Sequence, residues 1–532
     1  NVAVGKDALA VTTTGAENTA VGSKSLDANT VGEENTALGY ASLGANTEGN
    51  NNVAIGRATL SNNTTGDKNT ACGQSALGAN TTADYNSAFG YGALDANTTG
   101  TNNTSVGTDA LGANTTASNN TAVGMQSLND NSTGNKNTAV GSQALNANTT
   151  ADYNTAVGYQ ALKTNTTGER NTSIGFNSLE ASTTGSYNVA VGSGALNDNT
   201  TGSYNIGVGG ATLAVNTTGS YNAVLGYNAL SANTTGSDNV AIGAHALESN
   251  TTAEWVTAVG YKAAQANTTG AGVVAIGAAA LIKNTTGDYN TACGYDALGE
   301  NVTGDSNTAV GYYALKESTG TECTAVGTQA GQNITSGNGN TVMGRKALYT
   351  CTTGNLNTAL GEGSAYSLTT GYKNVYAGNQ AGYNITTAVQ SVAVGYQALF
   401  NCTTSNSNTA IGFYALVLAT GNNNTAIGEQ AGAAITSGAG NCCVGLDAGR
   451  SNSPSGEITT GSNNMVLGSN TISNLYCADT SISSSDARDK TDVENFTHGL
   501  SWIKELRPVT YRWDRRTWYS DDKSVKPDGS KK

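Results

Sequence analysis

Charge is scarce in this chain: 12% of its 532 residues are Asp, Glu, Lys or Arg, and only 3 are Pro. A disordered chain of this length would carry more of both, so the composition argues for an ordered protein. The few charges leave a net of −13 and a pI near 4.6, which speaks against nucleic acid, since phosphate binding needs a basic surface. No run of about 18 apolar residues exists, so membrane insertion is not expected, and no signal peptide is visible. With 2 His and no CxxC or His/Cys cluster, neither a metal nor another cofactor is implied. The chain opens at Asn1 without a Met and inside a repeat, which leads us to expect sequence upstream.

What the chain has instead is Asn, Thr, Gly and Ala in register. Residues 154–170 read NTAVGYQALKTNTTGER, and Asn171 starts the phrase again. Copies begin at Asn1, Asn18, Asn35 and onward in strict steps of 17 to Asn307; later steps include two of 16 and a last one of 23. This makes 28 copies over residues 1–470. A short strand is expected over T-A-V-G, with Val157, Ile174 and Val191 pointing inward. Leu162, Leu179, Leu196 and Leu213 supply a second inward position, and two apolar residues between glycines are too few for a helix. N-T-T-G fits a type I turn, and the glycine after each Val fits a corner that a side chain would obstruct.

A single copy buries about three side chains, too few to fold alone, whereas stacked copies bury one another's edges. The expected fold is therefore all-β: a parallel β-solenoid (β-roll) of 17-residue coils, with Asn ladders at the first and twelfth positions. At about 4.8 Å per coil the rod spans roughly 130 Å.

Other residues admit more than one reading. Cys72 and Cys293 stand where Val or Ile stands elsewhere and read as small buried apolar groups. Cys351 and Cys402 share a repeat position but would lie roughly 14 Å apart, too far for a disulfide. Asn63, Asn80, Asn97, Asn114, Asn131, Asn148, Asn165, Asn199, Asn216, Asn233, Asn250, Asn267, Asn284 and Asn301 open N-x-[ST] sequons. They would either carry glycans along one edge of the rod or be turn residues, and turn preference alone accounts for the letters. Two Tyr rows recur, one after the glycine (Tyr159, Tyr227, Tyr261) and one before the next copy (Tyr153, Tyr187, Tyr204). They would either stack on sugars of a host surface or pack over neighbouring coils. His245 is expected to be exposed, and Asp67, Asp84 and Glu169 to be solubilising charge.

Beyond residue 470 the grammar changes, and three of the four Trp follow. GLSWIKELRP reads as a short helix over Leu500–Leu506 with Ile503 on the same face and Pro508 ending it, and VTYRW as a strand. This gives a small α+β segment after a linker at 471–484.

The repeat units resemble the heads of trimeric autotransporter adhesins, on the N-V-A-I-G phrases at Asn52–Gly56 and Asn239–Gly243. The resemblance implies three parallel chains, a homotrimer. The C-terminal segment resembles the intramolecular chaperone domain of phage endosialidase tailspikes. It carries Ser485, Asp486, Arg488 and Lys490, then Gly499, Leu500, Ile503, Leu506, Pro508, Val509, Tyr511 and Trp513. That resemblance implies trimer assembly and self-cleavage, with Ser485 attacking the carbonyl of Ser484, Lys490 as base, and Asp486 and Arg488 in the supporting motif. Members of that family continue further, so 485–532 reads as a truncated start of the domain.

The expected function is the shaft of a virion tail or surface fibre, at the virion surface or extracellular, with a host glycan or receptor as partner. A bacterial surface adhesin and a polysaccharide-degrading tailspike with its catalytic domain elsewhere are the alternatives. No enzyme activity is expected in the shaft.

Overall fold

The computed structural model describes residues 1–474 and Tyr476. Two units separate by their internal contacts, Asn1–Ile472 and Ser473–Lys532, and the first is a continuous solenoid. It contains 28 three-residue strands, from β1 (Val2–Val4) to β28 (Met465–Leu467), one per coil. Each pairs in parallel with the strand of the next coil, as Thr155↔Thr172 and Val157↔Ile174 do. Among the described residues there is no helix.

Three residues make a strand here because the ladder runs between coils rather than along the chain. Val2 N donates to Asn18 O at 2.8 Å, and Gly22 N to Val4 O at 2.8 Å. The corners continue the pattern: Gln160 N bonds back to Ser142 O, while Leu162 N bonds forward to Ser178 O. This alternation of direction needs alternate handedness, so Gln160 (φ 54°) and Leu162 (φ 53°) both sit in the left-handed region. Each such non-glycine residue costs about 1–2 kcal/mol, offset by the two coil-to-coil bonds it permits. Glycine takes these positions in some copies, as at Gly92, Gly331 and Gly382.

The glycine after each strand is obligatory for a different reason. Gly158 has φ 139°, and a Cβ there would lie 2.3 Å from Gly175 O of the next coil. The expected type I turn at N-T-T-G is instead an open corner. Its N–H groups go to the next coil, Thr30 N and Val31 N both donating to Thr47 O at 3.1 Å. The corner is closed by the Asn side chain, Asn29 Nδ2 to Gly32 O at 3.1 Å. The first Thr adds a rung of its own, Thr47 Oγ1 donating to Thr64 O at 3.1 Å.

The strand's inward side corrects the expectation drawn from β propensity. Ala156, Ser173 and Ala190 face the core, while Val157, Ile174 and Val191 face outward. Space decides this: a Cβ on Gly207, which holds the inward strand position in its coil, would lie 2.9 Å from Leu196 Cδ1. The repeated Leu reaches across the coil, so the inward strand residue is small in most copies. Val224, Val342 and Val466 are larger exceptions, and Tyr376 fills the space in the coil whose ninth position is Gly382 instead of Leu. Leu162, Leu179, Leu196 and Leu213 are fully buried, as expected.

Both Asn ladders form. At the first position Asn35 N and Nδ2 both donate to Asn18 Oδ1, and Nδ2 also reaches Gly49 O at the far end of its own coil. At the twelfth position Asn46, Asn63 and Asn80 each donate to the previous coil's Oδ1 at 2.7–2.9 Å.

Candidate functional site

The outward strand face runs the length of the solenoid as one apolar row. Its fourth-position residue is apolar in all 28 strands, with Leu38, Ile55, Phe89, Ile174, Ile276 and Ile411 each 38–45% exposed. The second position is Thr, Ser, Val, Ile, Ala, Cys or Met, and none of the chain's 63 charged residues stands in any strand. Cys72 and Cys293 lie on this face and are half-buried rather than enclosed. The enclosed cysteines are others: burial pushes the Cys351 thiol up to about 12 and the Cys443 thiol to about 11, so both are protonated and unreactive.

The aromatic rows flank this face, and their rings cover one another. Tyr187, Tyr204 and Tyr221 stack at 4.9 and 5.0 Å with interplanar angles of 7° and 2°. Arg170 lies between the Tyr153 and Tyr187 rings at 5.5 and 5.3 Å, and Lys136 covers Tyr153 at 4.8 Å. Tyr159 stacks on Phe176, and Tyr349, Tyr366, Tyr383 and Phe400 form a third ladder. Of the two readings of the Tyr rows, packing over neighbouring coils holds wherever the rings stack, because their faces are no longer available to a sugar.

The sequon asparagines are interior. Asn63, Asn80, Asn97, Asn114, Asn131, Asn148, Asn165, Asn199, Asn216, Asn233, Asn250, Asn267, Asn284 and Asn301 are all fully buried. The amide nitrogen that a glycan would need is already bonded, as Asn233 Nδ2 is to Asn216 Oδ1 and Gly236 O. The folded rod therefore has no room for sugar at these positions.

Two of the acids singled out by sequence have structural partners. Asp67 Oδ1 accepts the backbone N–H of Asn50 at 2.6 Å, and Asp84 Oδ1 that of Asp67 at 2.7 Å. Ser186 does the same for Glu169, so this position favours Asp, Asn, Ser and Thr because a short side chain with an oxygen caps the preceding coil. His245 is half-buried rather than exposed, edge-on to Tyr227 and Tyr261, with Nδ1 3.1 Å from Glu248.

A groove of about 220 Å³ beside Tyr366 and Tyr383 is lined by Arg345, Lys346, Glu362 and Gln380, with Arg345 paired to Glu362. Among the described residues no group of three His, Cys, Asp or Glu could hold a metal ion, and no helix is long and apolar enough to cross a membrane. Ser484, Ser485, Asp486, Arg488 and Lys490, with the expected helix at 500–506 and the strand after it, lie outside the described residues.

No curated protein and no solved structure matches the chain. The one informative comparison falls on the segment after the solenoid: residues 485–531 match the family described as the chaperone of endosialidase.

Proposed function

We propose that this chain is one strand of a homotrimeric fibre shaft, displayed at a virion surface for host attachment and assembled by its own C-terminal segment. The observation that carries the reading is the chaperone-of-endosialidase match at 485–531 directly after a solenoid of near-identical coils. Such a rod has a specific need for an assembly device. Sliding one chain by 17 residues against another replaces each coil with an almost equal neighbour, so the repeat itself specifies register weakly. A unique segment at one end removes that degeneracy.

The same segment is proposed to release itself. The Ser485 hydroxyl attacks the Ser484 carbonyl, the peptide C–N bond breaks as the Ser485 amine takes a proton, and water then hydrolyses the resulting ester. Lys490 accepts the hydroxyl proton, which requires a neutral amine and hence a site that depresses its pKa. Asp486 and Arg488 complete the motif.

Intact mass and light scattering of the full chain, wild type beside Ser485→Ala and Lys490→Ala, test both halves. A wild-type product ending at Ser484, an uncleaved pair of variants and a three-chain mass in each support the reading. A full-length wild type removes the cleavage step. A monomer in every sample removes the fibre.

A further inference from the structure

We infer that the outward strand face is the seam along which copies of this chain pack, parallel and in register; the inference rests on the homo-oligomer reading above and names the surface that serves it. Three observations converge on it. First, every strand places an apolar residue at its fourth position, from Val4 to Leu467, and those side chains stay partly open to solvent in the single chain. A stripe roughly 130 Å long and one side chain wide exceeds the few hundred Å² of contiguous apolar surface that a monomer usually leaves uncovered.

Second, charge is excluded from this face. The other outward row of side chains without charge, the Thr at the thirteenth position, is held there by the bond its Oγ1 donates to the next coil, as Thr47 Oγ1 does to Thr64 O. Arg57, Asp130, Lys163, Asp67 and Arg170 occupy five other outward repeat positions, so the coil tolerates charge where no side-chain bond to the next coil fixes the residue. Nothing in the coil's own folding forbids Lys or Glu at an outward strand position. Its absence from all 28 strands is what a surface covered by protein requires.

Third, the stripe has a period. Its side chains repeat at about 4.8 Å, and only a partner with the same rise keeps matching them from one end to the other. A second copy of this chain has that rise by construction, running in the same direction. One strand's width over the whole rod removes on the order of 1,000 Å² from each chain, the scale of a specific interface. The flanking Tyr and Lys rows then lie at the polar rim.

The half-buried Cys72 and Cys293 lie on this face, 13 coils apart, and report on register without any engineering. In an in-register seam each faces its own counterpart. The test uses the full chain in three forms: wild type, Ile174→Asp on the strand face, and Ala147→Asp at an outward position where Asp130 and Asp198 already stand in other coils. Light scattering reads the number of chains, and maleimide labelling with peptide mass spectrometry reads each thiol. We expect Ile174→Asp to lose the oligomer and Ala147→Asp to keep it. We also expect Cys72 and Cys293 to label slower in the oligomer than in the monomer by roughly an order of magnitude, and mild oxidation to join Cys72 only to Cys72 and Cys293 only to Cys293.

A wild-type oligomer whose Cys72 and Cys293 label at the monomer rate moves the seam elsewhere and leaves the oligomer standing. Cys72–Cys293 cross-links overturn the parallel register. A monomeric wild type overturns the seam together with the fibre reading. Should Ile174→Asp fail to fold, the wild-type labelling and cross-link pattern still decide.

Discussion

The solenoid has one backbone and two interiors. From Asn29 to Asn301 the twelfth position of the coil is Asn in every copy but one, and the coils are all 17 residues long. From Ser318 onward the same position holds Ser318, Ile334, Cys351, Leu368, Ile385, Cys402, Ala419, Ile435 and Ile458, and here the two 16-residue steps and the 23-residue step occur. The coincidence has a physical cause. An amide ladder is directional, each Nδ2 having to meet the previous Oδ1 within 2.7–3.2 Å, so a missing corner residue breaks two neighbours. Apolar packing has no such direction, and the shortened corners at Ser318–Gly320 and Ala419–Gly421 fall where the ladder no longer braces them.

The apolar half obeys a rule of its own, constant volume. Leu315, Leu348, Leu399 and Leu416 at the ninth position pair with Ser318, Cys351, Cys402 and Ala419 at the twelfth. Where the ninth is Gly331, Ala365, Gly382, Gly432 or Gly449, the partner is Ile334, Leu368, Ile385, Ile435 or Ile458. A Cβ on Gly331 would lie 2.9 Å from Ile334 Cδ1, so the two positions share one space.

Four tests press on this comparison, each read by hydrogen exchange of the affected coil, since repeat arrays open locally. The largest effect is expected at the shared backbone. Gly158→Ala and Gly395→Ala meet a neighbouring carbonyl at 2.3 and 2.5 Å, and both should cost about 3 kcal/mol or more. Unequal losses would mean that the two interiors do not share one frame. Next, Asn233→Ala removes its bonds to Asn216 and Gly236 and the one it accepts from Asn250, leaving Asn216 Oδ1 without its ladder donor, for about 2–4 kcal/mol, whereas Cys402→Ala should cost about 1. Equal losses would dissolve the distinction between ladder and apolar row.

Volume sharing makes a non-additive prediction. Gly331→Leu overpacks and Ile334→Cys leaves a void, each destabilising by about 1–3 kcal/mol, yet the double variant recreates the Leu348/Cys351 pairing of the next coil. It should recover most of the loss, and simple addition would refute the rule. The smallest expected effect is a gain. Ser182 interrupts the ladder and leaves Asn165 Oδ1 and its own Oγ without partners. Ser182→Asn should add about 1 kcal/mol of protection across that break.

The period, the buried Leu, both ladders and the obligatory glycine were legible because each is a residue type with one physical use recurring at one spacing. The orientation of Val157 and Ile174 was not, because β propensity says that a side chain suits a strand and not which face is free. That depended on how far Leu196 reaches, which is a tertiary fact. The left-handed Gln160 and Leu162 carried no signal either, since neither residue prefers that conformation. The size exchange between the ninth and twelfth positions was visible in the letters and needed only the knowledge that the two sites touch. For residues 485–531 the sequence and its family match carry the whole reading, since they lie outside the described residues.

The twelfth-position ladder has a further consequence, for the rod's electrical direction. Every amide in it points the same way, N–H toward the start of the chain and carbonyl toward the end. At the last rung Asn301 Oδ1 has no following Asn and accepts Gly304 N–H instead. Amide dipoles of about 3.5 D aligned head to tail add, as they do in a helix. The solenoid is thereby polarised along the coils from Asn29 to Asn301, with one break at Ser182 and a direction fixed by the chain's own.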